Sequence, residues 1–186
     1  VYYNTKGQED PTSNFQWEFV LVDDDQTKNA WCMPGGKIAF YSGILPIAKN
    51  KDGIASIMGH EIAHAVARHS AERASTAMLT DFGIMALEKF VLGQRLPQAS
   101  GYVRQFGLDL PFNRKQESEA DYLGIIFSSL AGYNIEESYK VWERMKEEAG
   151  SGPAEFWSTH PSPDNRIKKL KEWIPIVSRQ YPAISV

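Results

Sequence analysis

The sequence contains a single cysteine, Cys32, among its 186 residues. An internal disulfide and a zinc site of the Cys₄ or Cys₂His₂ type both need more than one cysteine, so both are excluded. Long apolar runs are missing too. The run at 123–127 is typical, and it falls far short of the roughly 20 residues that a membrane-spanning helix needs. No transmembrane segment is therefore predicted in this chain.

An excess of charge of one sign is also missing. Lys and Arg number 20 and Asp and Glu 23, which leaves a formal net charge of -3. Because nucleic-acid binding usually needs a basic face, no nucleic-acid partner is expected, and a polybasic membrane anchor is disfavoured. The hydrophobic fraction of 42% and the five tryptophans are sufficient for the core of one compact domain.

The chain opens without Met in a polar stretch, and we interpret residues 1–14 as a linker or the remnant of an upstream segment. A targeting segment or a lipid anchor further upstream is compatible with such a start. The main domain is expected at 15–175 and a C-terminal tail at 176–186.

Strand patterns come first in the chain and helix patterns follow. Alternating apolar residues predict strands at 15–22, 29–33 and 37–41, with a hairpin turn at Pro34-Gly35-Gly36. Helical periodicity predicts a long helix with Asp52 as its N-cap and further helices at 81–92, 113–130, 136–148 and 164–173, with a loop at 94–111. This order predicts an α+β domain that is mostly helical and has a small antiparallel sheet.

The long helix carries the motif H-E-x-x-H, formed by His60, Glu61 and His64. Residues four apart lie on one face of a helix, so both imidazoles can bind one zinc ion while Glu61 reaches a water molecule there. The alternative is a pair of solvated surface histidines. The apolar flanks, including Ile57 and Val66, favour a buried helix, in which unpaired polar side chains would be costly.

A catalytic zinc site needs a third protein ligand, which must be His, Glu or Asp here. His69 lies about 140° around the helix from His64 and is a poor ligand from that helix. Glu117 and Asp121 are four residues apart on a later helix, so one can bind zinc while the other accepts a hydrogen bond from a ligand imidazole. Glu119 points elsewhere and is interpreted as an exposed charge.

His160 lies in the proline-flanked segment Thr159-His160-Pro161-Ser162-Pro163, which is rigid enough to aim a side chain. It is a candidate fourth ligand, a candidate donor to the tetrahedral oxyanion, or a loop histidine without a role. As a fourth ligand it would fill the position that water needs, which implies a latent state. Arg166 either anchors an acidic side chain near the cleft or begins the last helix.

Four segments together resemble the zinc peptidases of the HtpX and CaaX prenyl protease type, peptidase family M48. They are Asn29-Ala30 with Pro34-Gly35-Gly36-Lys37-Ile38, the run from His60 to His69, the run from Glu117 to Asp121, and His160-Pro161. The resemblance implies a zincin-like, gluzincin fold, one Zn²⁺ per chain and Glu117 as the third ligand. It is greatest to the soluble branch, which includes periplasmic bacterial members and a related mitochondrial stress protease. Of these two locations the bacterial cell envelope, specifically the periplasm, is the expected one.

The resulting expectation is an endopeptidase in which Glu61 takes a proton from the attacking water and passes it to the leaving amine. An extended peptide is expected to lie along the strand at Gly36, Lys37, Ile38 and Ala39, a mode suited to unfolded or damaged proteins. The loop at 94–111 is a candidate lid. Two alternatives stay open: a zinc hydrolase acting on other acyl bonds, and a dormant enzyme that binds unfolded proteins as a chaperone does.

Overall fold

The computed structural model describes residues 2–73, 75–76, 114–149, 160 and 163–184. A one-turn helix, α1 (Tyr2–Thr5), precedes the strands β1 (Glu18–Val22), β2 (Ala30–Met33) and β3 (Lys37–Tyr41). The helices that follow are α2 (Leu45–Ala48), α3 (Lys51–Val66), α4 (Arg114–Leu130), α5 (Glu137–Ala149) and α6 (Pro163–Gln180). The predicted α+β class is confirmed. The predicted helix at 81–92 and the predicted lid loop at 94–111 lie outside the described residues.

The sheet is mixed, with the strand order β1-β3-β2. β2 turns back into β3 through Pro34-Gly35-Gly36 and pairs antiparallel with it, whereas β1 pairs with β3 in parallel. Gly35 and Gly36 have φ of +92° and +93°, a conformation that favours glycine. The prediction of an antiparallel sheet is therefore wrong for β1. β2 occupies one edge of β3 and runs antiparallel to it, whereas β1 occupies the other edge and runs parallel to it.

The N-cap of helix α3 lies two residues before the predicted one. The Asn50 side chain accepts a hydrogen bond from the backbone N–H of Gly53 at 2.9 Å, so Asn50 is the N-cap. Asp52, the predicted cap, lies in the first turn and accepts a hydrogen bond from the backbone N–H of Asn134 at 3.1 Å. Both residue types are favoured at this position, which explains the wrong choice.

Helices α3 and α4 cross at a pair of glycines, Gly59 and Gly124. A Cβ added at Gly124 would lie 2.9 Å from the backbone nitrogen of His60, and one added at Gly59 would lie 2.8 Å from the carbonyl oxygen of Gly124. Such distances are below normal contact, so only glycine allows the backbones to approach this closely. The crossing brings the first turns of α4 beside the H-E-x-x-H motif.

The core lies between the sheet and helices α3 to α6. Its buried side chains include Ile38 and Phe40 from β3, Ile57 from α3, Ile125 and Ile126 from α4, Val141, Trp142 and Met145 from α5, and Leu170 and Val177 from α6. In the part of the chain described, no helix has both the length and the apolar character needed to cross a membrane.

The two ends of the chain pack near each other on α4. The Tyr2 ring lies 6.3 Å from the ring of Phe127 and 5.7 Å from that of Tyr181, between centroids. Helix α6 continues to Gln180, beyond its predicted end at Trp173. The division of the chain after residues 14 and 175 stays a prediction.

Candidate metal centre

Helix α3 presents the two histidines of the motif on one buried face. His60 is 3% exposed and His64 is 2% exposed, so neither is solvated. Their Nε2 atoms lie 3.1 Å apart. A separation of four residues on a regular helix is what brings the two rings together.

Two more side chains reach the same point from other segments. Glu117, in the first turn of α4, has Oε1 at 3.2 Å from the Nε2 of His64 and Oε2 at 3.6 Å from the Nε2 of His60. The Nδ1 of His160 lies 3.0 Å from Glu117 Oε1 and 3.3 Å from the Nε2 of His60. One donor atom from each of the four residues lies within 4.8 Å of all the others.

The cluster fits a zinc ion. Ligand atoms about 2.0 to 2.1 Å from a tetrahedral zinc are about 3.3 Å from one another, which is close to the separations found here. Imidazole nitrogens with a carboxylate oxygen are also a donor set that zinc prefers. Glu117 Oε1, the oxygen nearest to His64 and His160, is the one that faces the cluster, whereas Oε2 lies 2.5 Å from Arg166 Nη1 in a buried ion pair.

Asp121 and Arg166 stand behind His60. The carboxylate Oδ1 of Asp121 lies 3.1 Å from His60 Nδ1, so it can accept the proton that this nitrogen carries when Nε2 binds a metal. Arg166 donates two hydrogen bonds to the same carboxylate, from Nε at 2.7 Å and from Nη2 at 2.6 Å. Its guanidinium lies 3.6 Å above the Trp142 ring. The anchoring interpretation of Arg166 matches this geometry better than a mere helix start.

The charges of the site keep the proposed ligands in their metal-binding forms. Burial opposes ionisation of Glu117, but Arg166 and His160 outweigh it and hold the Glu117 pKa well below its ordinary value. Burial also opposes ionisation of Asp121, and Arg166 again reverses the effect, so that the Asp121 pKa is lowered. Burial lowers the pKa of His64 well below its ordinary value, which keeps the imidazole neutral.

Glu61 lies beside the cluster without joining it. Its Oε1 lies 3.4 Å from His160 Nε2 and has no hydrogen-bond donor among the described residues. Burial raises the pKa of this carboxyl, and the neighbouring histidines oppose the rise. The Cys32 thiol in β2 has its pKa raised to about 12, mainly by burial and to a smaller extent by the negative charge of Glu61. Cys32 is thus a buried free cysteine with a weakly acidic thiol.

His69 is the residue whose position sequence reasoning left most open. It is not in the four-residue cluster but is 2% exposed, with Nδ1 at 2.9 Å from His64 Nδ1. Its Nε2 lies 3.4 Å from Glu119 Oε2. Arg68, with φ of +57°, turns the chain after α3 and returns His69 to His64. An arginine gives no sequence signal for this left-handed conformation.

The predicted substrate segment, Gly36 to Ala39, is not among the residues that converge on the cluster. β3 is the central strand, and both of its edges are occupied, by β1 and by β2. Ile38 and Ala39 are buried. Contact of these four residues with substrate stays a prediction, but a peptide strand adding to this sheet would meet β1 or β2 before β3.

Comparison with known proteins places the chain among metallopeptidases. The model of Peptidase family M48 matches residues 6–174. Mitochondrial metalloendopeptidase OMA1 of Schizosaccharomyces pombe is 43% identical over 88% of this chain and 48% of its own length. OMA1 of Saccharomyces cerevisiae is 37% identical over 89% of this chain and 49% of its own length. The chain thus spans about half the length of these two curated relatives.

A bacterial relative is also matched. The beta-barrel assembly-enhancing protease of Escherichia coli is 30% identical over 81% of this chain and 33% of its own length. The higher identities nevertheless belong to mitochondrial proteins, and these contradict the predicted location in the bacterial cell envelope. That prediction depended on the missing membrane spans, and their absence does not distinguish one compartment from another.

The family match confirms the predicted peptidase family, the gluzincin-like fold and the zinc cofactor. The relatives bear the name metalloendopeptidase, which is the class of enzyme that the motifs predicted. The roles of the individual site residues stay predictions. A match over residues 6–174, together with relatives at 43% and 37% identity, shows that the chain belongs to peptidase family M48.

Proposed function

We propose that this chain is the catalytic domain of a zinc endopeptidase in which His60, His64 and Glu117 hold the metal. The observation that carries the proposal is the convergence of these donor atoms from two helices inside a buried site. Buried groups of this kind are costly unless something binds them, and a divalent cation is the partner that their number and type fit. The names of the relatives support peptide-bond hydrolysis as the reaction.

Glu61 is the proposed general base. When bound, zinc polarises the scissile carbonyl and lowers the pKa of the attacking water. The Glu61 carboxylate accepts the proton of that water and delivers it to the nitrogen of the leaving amine. Asp121 holds the His60 ring through Nδ1, and Arg166 fixes Asp121 in turn. The Nε2 atom of His60 is thereby aimed at the metal point.

His160 is proposed to keep the resting enzyme latent. Its Nδ1 lies among the other donors, so with His160 in this position four protein groups surround the metal point. A catalytic zinc keeps one position open for water or substrate. His160 must therefore withdraw before a peptide is cleaved. The alternative role is donation of a hydrogen bond to the oxyanion, which is compatible with a ring that lies beside the proposed base, with Nε2 at 3.4 Å from Glu61 Oε1.

The substrate is proposed to add as a strand to the sheet. Among the described residues β2 pairs only with β3, which leaves its outer edge for a peptide backbone. β2 packs against α3, the helix that carries Glu61, so this strand runs near the proposed base. Strand addition depends little on side chains, which supports unfolded or damaged proteins as substrates and a role in quality control.

The mitochondrial relatives support a mitochondrial location, which fractionation of cells expressing the protein would test.

The second candidate function is a dormant enzyme that binds unfolded proteins without cleaving them. The four-donor arrangement with His160 favours it, because a filled metal site has no room for water. The two candidates differ in what removal of His160 does. If His160 is a latch, His160→Ala raises activity; if the site is dormant, the variant stays inert.

Digestion of unfolded casein tests the proposal, with zinc content measured on the same protein. We expect about one zinc per chain, activity increased in His160→Ala, and activity abolished in Glu61→Gln at unchanged zinc content. Glu172→Gln, an equivalent change at an exposed site of α6, is the matched control and should behave as wild type. Casein bound but left intact by both wild type and His160→Ala would replace the endopeptidase by the dormant binder. Activity lost in His160→Ala would assign His160 to the transition state instead of the latch.

A further inference from the structure

The two histidines of the metal centre are supported in different ways. His60 Nδ1 faces a carboxylate, Asp121, at 3.1 Å. His64 Nδ1 faces another imidazole, that of His69, at 2.9 Å. Both supporting side chains are buried. A carboxylate only accepts hydrogen bonds, whereas an imidazole can accept or donate, so the contact between His64 and His69 can form in either of two tautomer pairs.

The tautomer follows from the direction in which His64 points. Its Nε2 lies 3.2 Å from Glu117 Oε1 and 3.1 Å from His60 Nε2, so Nε2 is the atom that faces the metal point. A neutral imidazole that binds metal through Nε2 carries its proton on Nδ1. That proton must be accepted by His69 Nδ1, which then carries its own proton on Nε2. The Nε2–H of His69 points to Glu119 Oε2, at 3.4 Å.

The backbone places His69 for this contact. Helix α3 ends at Val66, and a residue five positions after His64 on a continuing helix would point about 140° away from it. Arg68 adopts φ of +57° instead, and the chain turns so that His69 lies beside His64 with ring centroids 5.0 Å apart. Left-handed backbone at an arginine has an energetic cost, so the surrounding structure must maintain it.

We propose that His69 is a positioning residue of the metal centre: it accepts the Nδ1 proton of His64, fixes the tautomer of that ligand, and is itself oriented by Glu119. The proposal rests on the zinc site put forward above. His64 is therefore oriented indirectly, since the exposed Glu119 carboxylate orients His69 and His69 orients His64. His60, by contrast, contacts a carboxylate directly, that of Asp121, which Arg166 fixes by two hydrogen bonds.

Zinc affinity, measured by competition with a chromogenic chelator, is the first test. Loss of an outer-sphere partner typically weakens metal binding by about 10- to 100-fold, and we expect this loss in His69→Phe. His69→Asn keeps an acceptor where Nδ1 lies and should retain affinity within about threefold of wild type. The control for general destabilisation is Ser129→Ala. Ser129 lies on the same helix as Glu117, and its hydroxyl donates a hydrogen bond to the backbone oxygen of Tyr181, which the substitution removes.

Histidine nitrogen NMR of the zinc-loaded wild type is the second test and needs no variant. We expect His64 with its proton on Nδ1 and His69 with its proton on Nε2. A His69 proton on Nδ1, or equal affinity in His69→Phe and wild type, would overturn the inference. Wild type that binds no zinc at all would instead remove the proposed function, so the two failures are distinguishable. Unfolding midpoints without metal show whether each variant folds.

Discussion

Gly124→Ala should separate the two helices that hold the metal ligands. The glycine lies on α4 where it crosses α3, and an alanine Cβ there would lie 2.9 Å from the backbone nitrogen of His60 and 3.1 Å from its Cα. Those two atoms are helix backbone and cannot rotate away. Carbon contacts relax to about 3.5 Å, so the helices must move apart by roughly 0.5 Å.

Two opposing effects set the change in stability. Replacing glycine by alanine inside a helix stabilises it by about 1 kcal/mol, because glycine loses more backbone entropy on folding. Overpacking a close backbone contact costs about 1 to 3 kcal/mol. The steric cost wins, and the free energy of unfolding should fall by about 1 kcal/mol. A misplacement of 1 Å in a catalytic site costs about 100-fold in rate, so a 0.5 Å shift of His60 away from Glu117 should cost about tenfold in activity.

Urea denaturation of the metal-free protein and casein digestion of the zinc-loaded protein measure the two effects separately. Ser128→Ala is the control: Ser128 Oγ donates to the carbonyl oxygen of Ala55 at 3.2 Å across the same helix pair, and its loss costs about 1 kcal/mol without adding an atom. Ser128→Ala should keep wild-type activity although its free energy of unfolding is lowered about as much as that of Gly124→Ala. Gly124→Ala with full activity, or with higher stability than wild type, would refute the idea that this contact sets the distance between the ligands.

Two further predictions concern side chains near the metal centre. Asp121→Asn keeps the shape of the side chain but removes the negative charge that faces both His60 and Arg166. Competition with a chelator should show a zinc affinity about 10- to 100-fold lower than that of wild type. An unchanged affinity would contradict the role of Asp121. Cys32, with its pKa at about 12 against about 8.5 for a free thiol, should react with iodoacetamide at pH 8 more than about a thousandfold slower in the folded protein than in urea. Mass spectrometry follows the reaction, and equal rates in the two states would show that the thiol is accessible.

The features that the sequence predicted are those set by local spacing. His60 and His64 share a helical face because they are four residues apart, and Glu117 and Asp121 share one for the same reason. The hairpin at Gly35-Gly36 follows from the backbone freedom of glycine. Each of these depends on a few neighbouring residues, so the pattern can be interpreted without knowing where the rest of the chain lies.

The features that escaped prediction depend on contacts between distant segments. The parallel position of β1 is set by which edge of β3 the hairpin leaves open, and single-strand patterns carry no information about strand order. The sequence left Arg166 between an anchor for an acidic side chain and a helix start, because its partner Asp121 is 45 positions away. His69 depends on a left-handed conformation at Arg68, for which arginine has no preference.

The balance of charges in the buried site explains the contact of Arg166 with carboxylates that lie far from it in the sequence. Glu61, Glu117 and Asp121 are buried carboxylates, and Arg166 is the buried guanidinium that faces two of them. With every carboxyl ionised, the three negative charges and one positive charge of these described residues leave a formal charge of -2, which a divalent cation cancels. Without Arg166 the same site would carry -3 and a zinc ion would leave a buried net charge, whose desolvation is expensive. Arg166 therefore matches the site to a doubly charged ion, and this explains why the last helix contributes an arginine to a metal centre whose proposed ligands lie elsewhere.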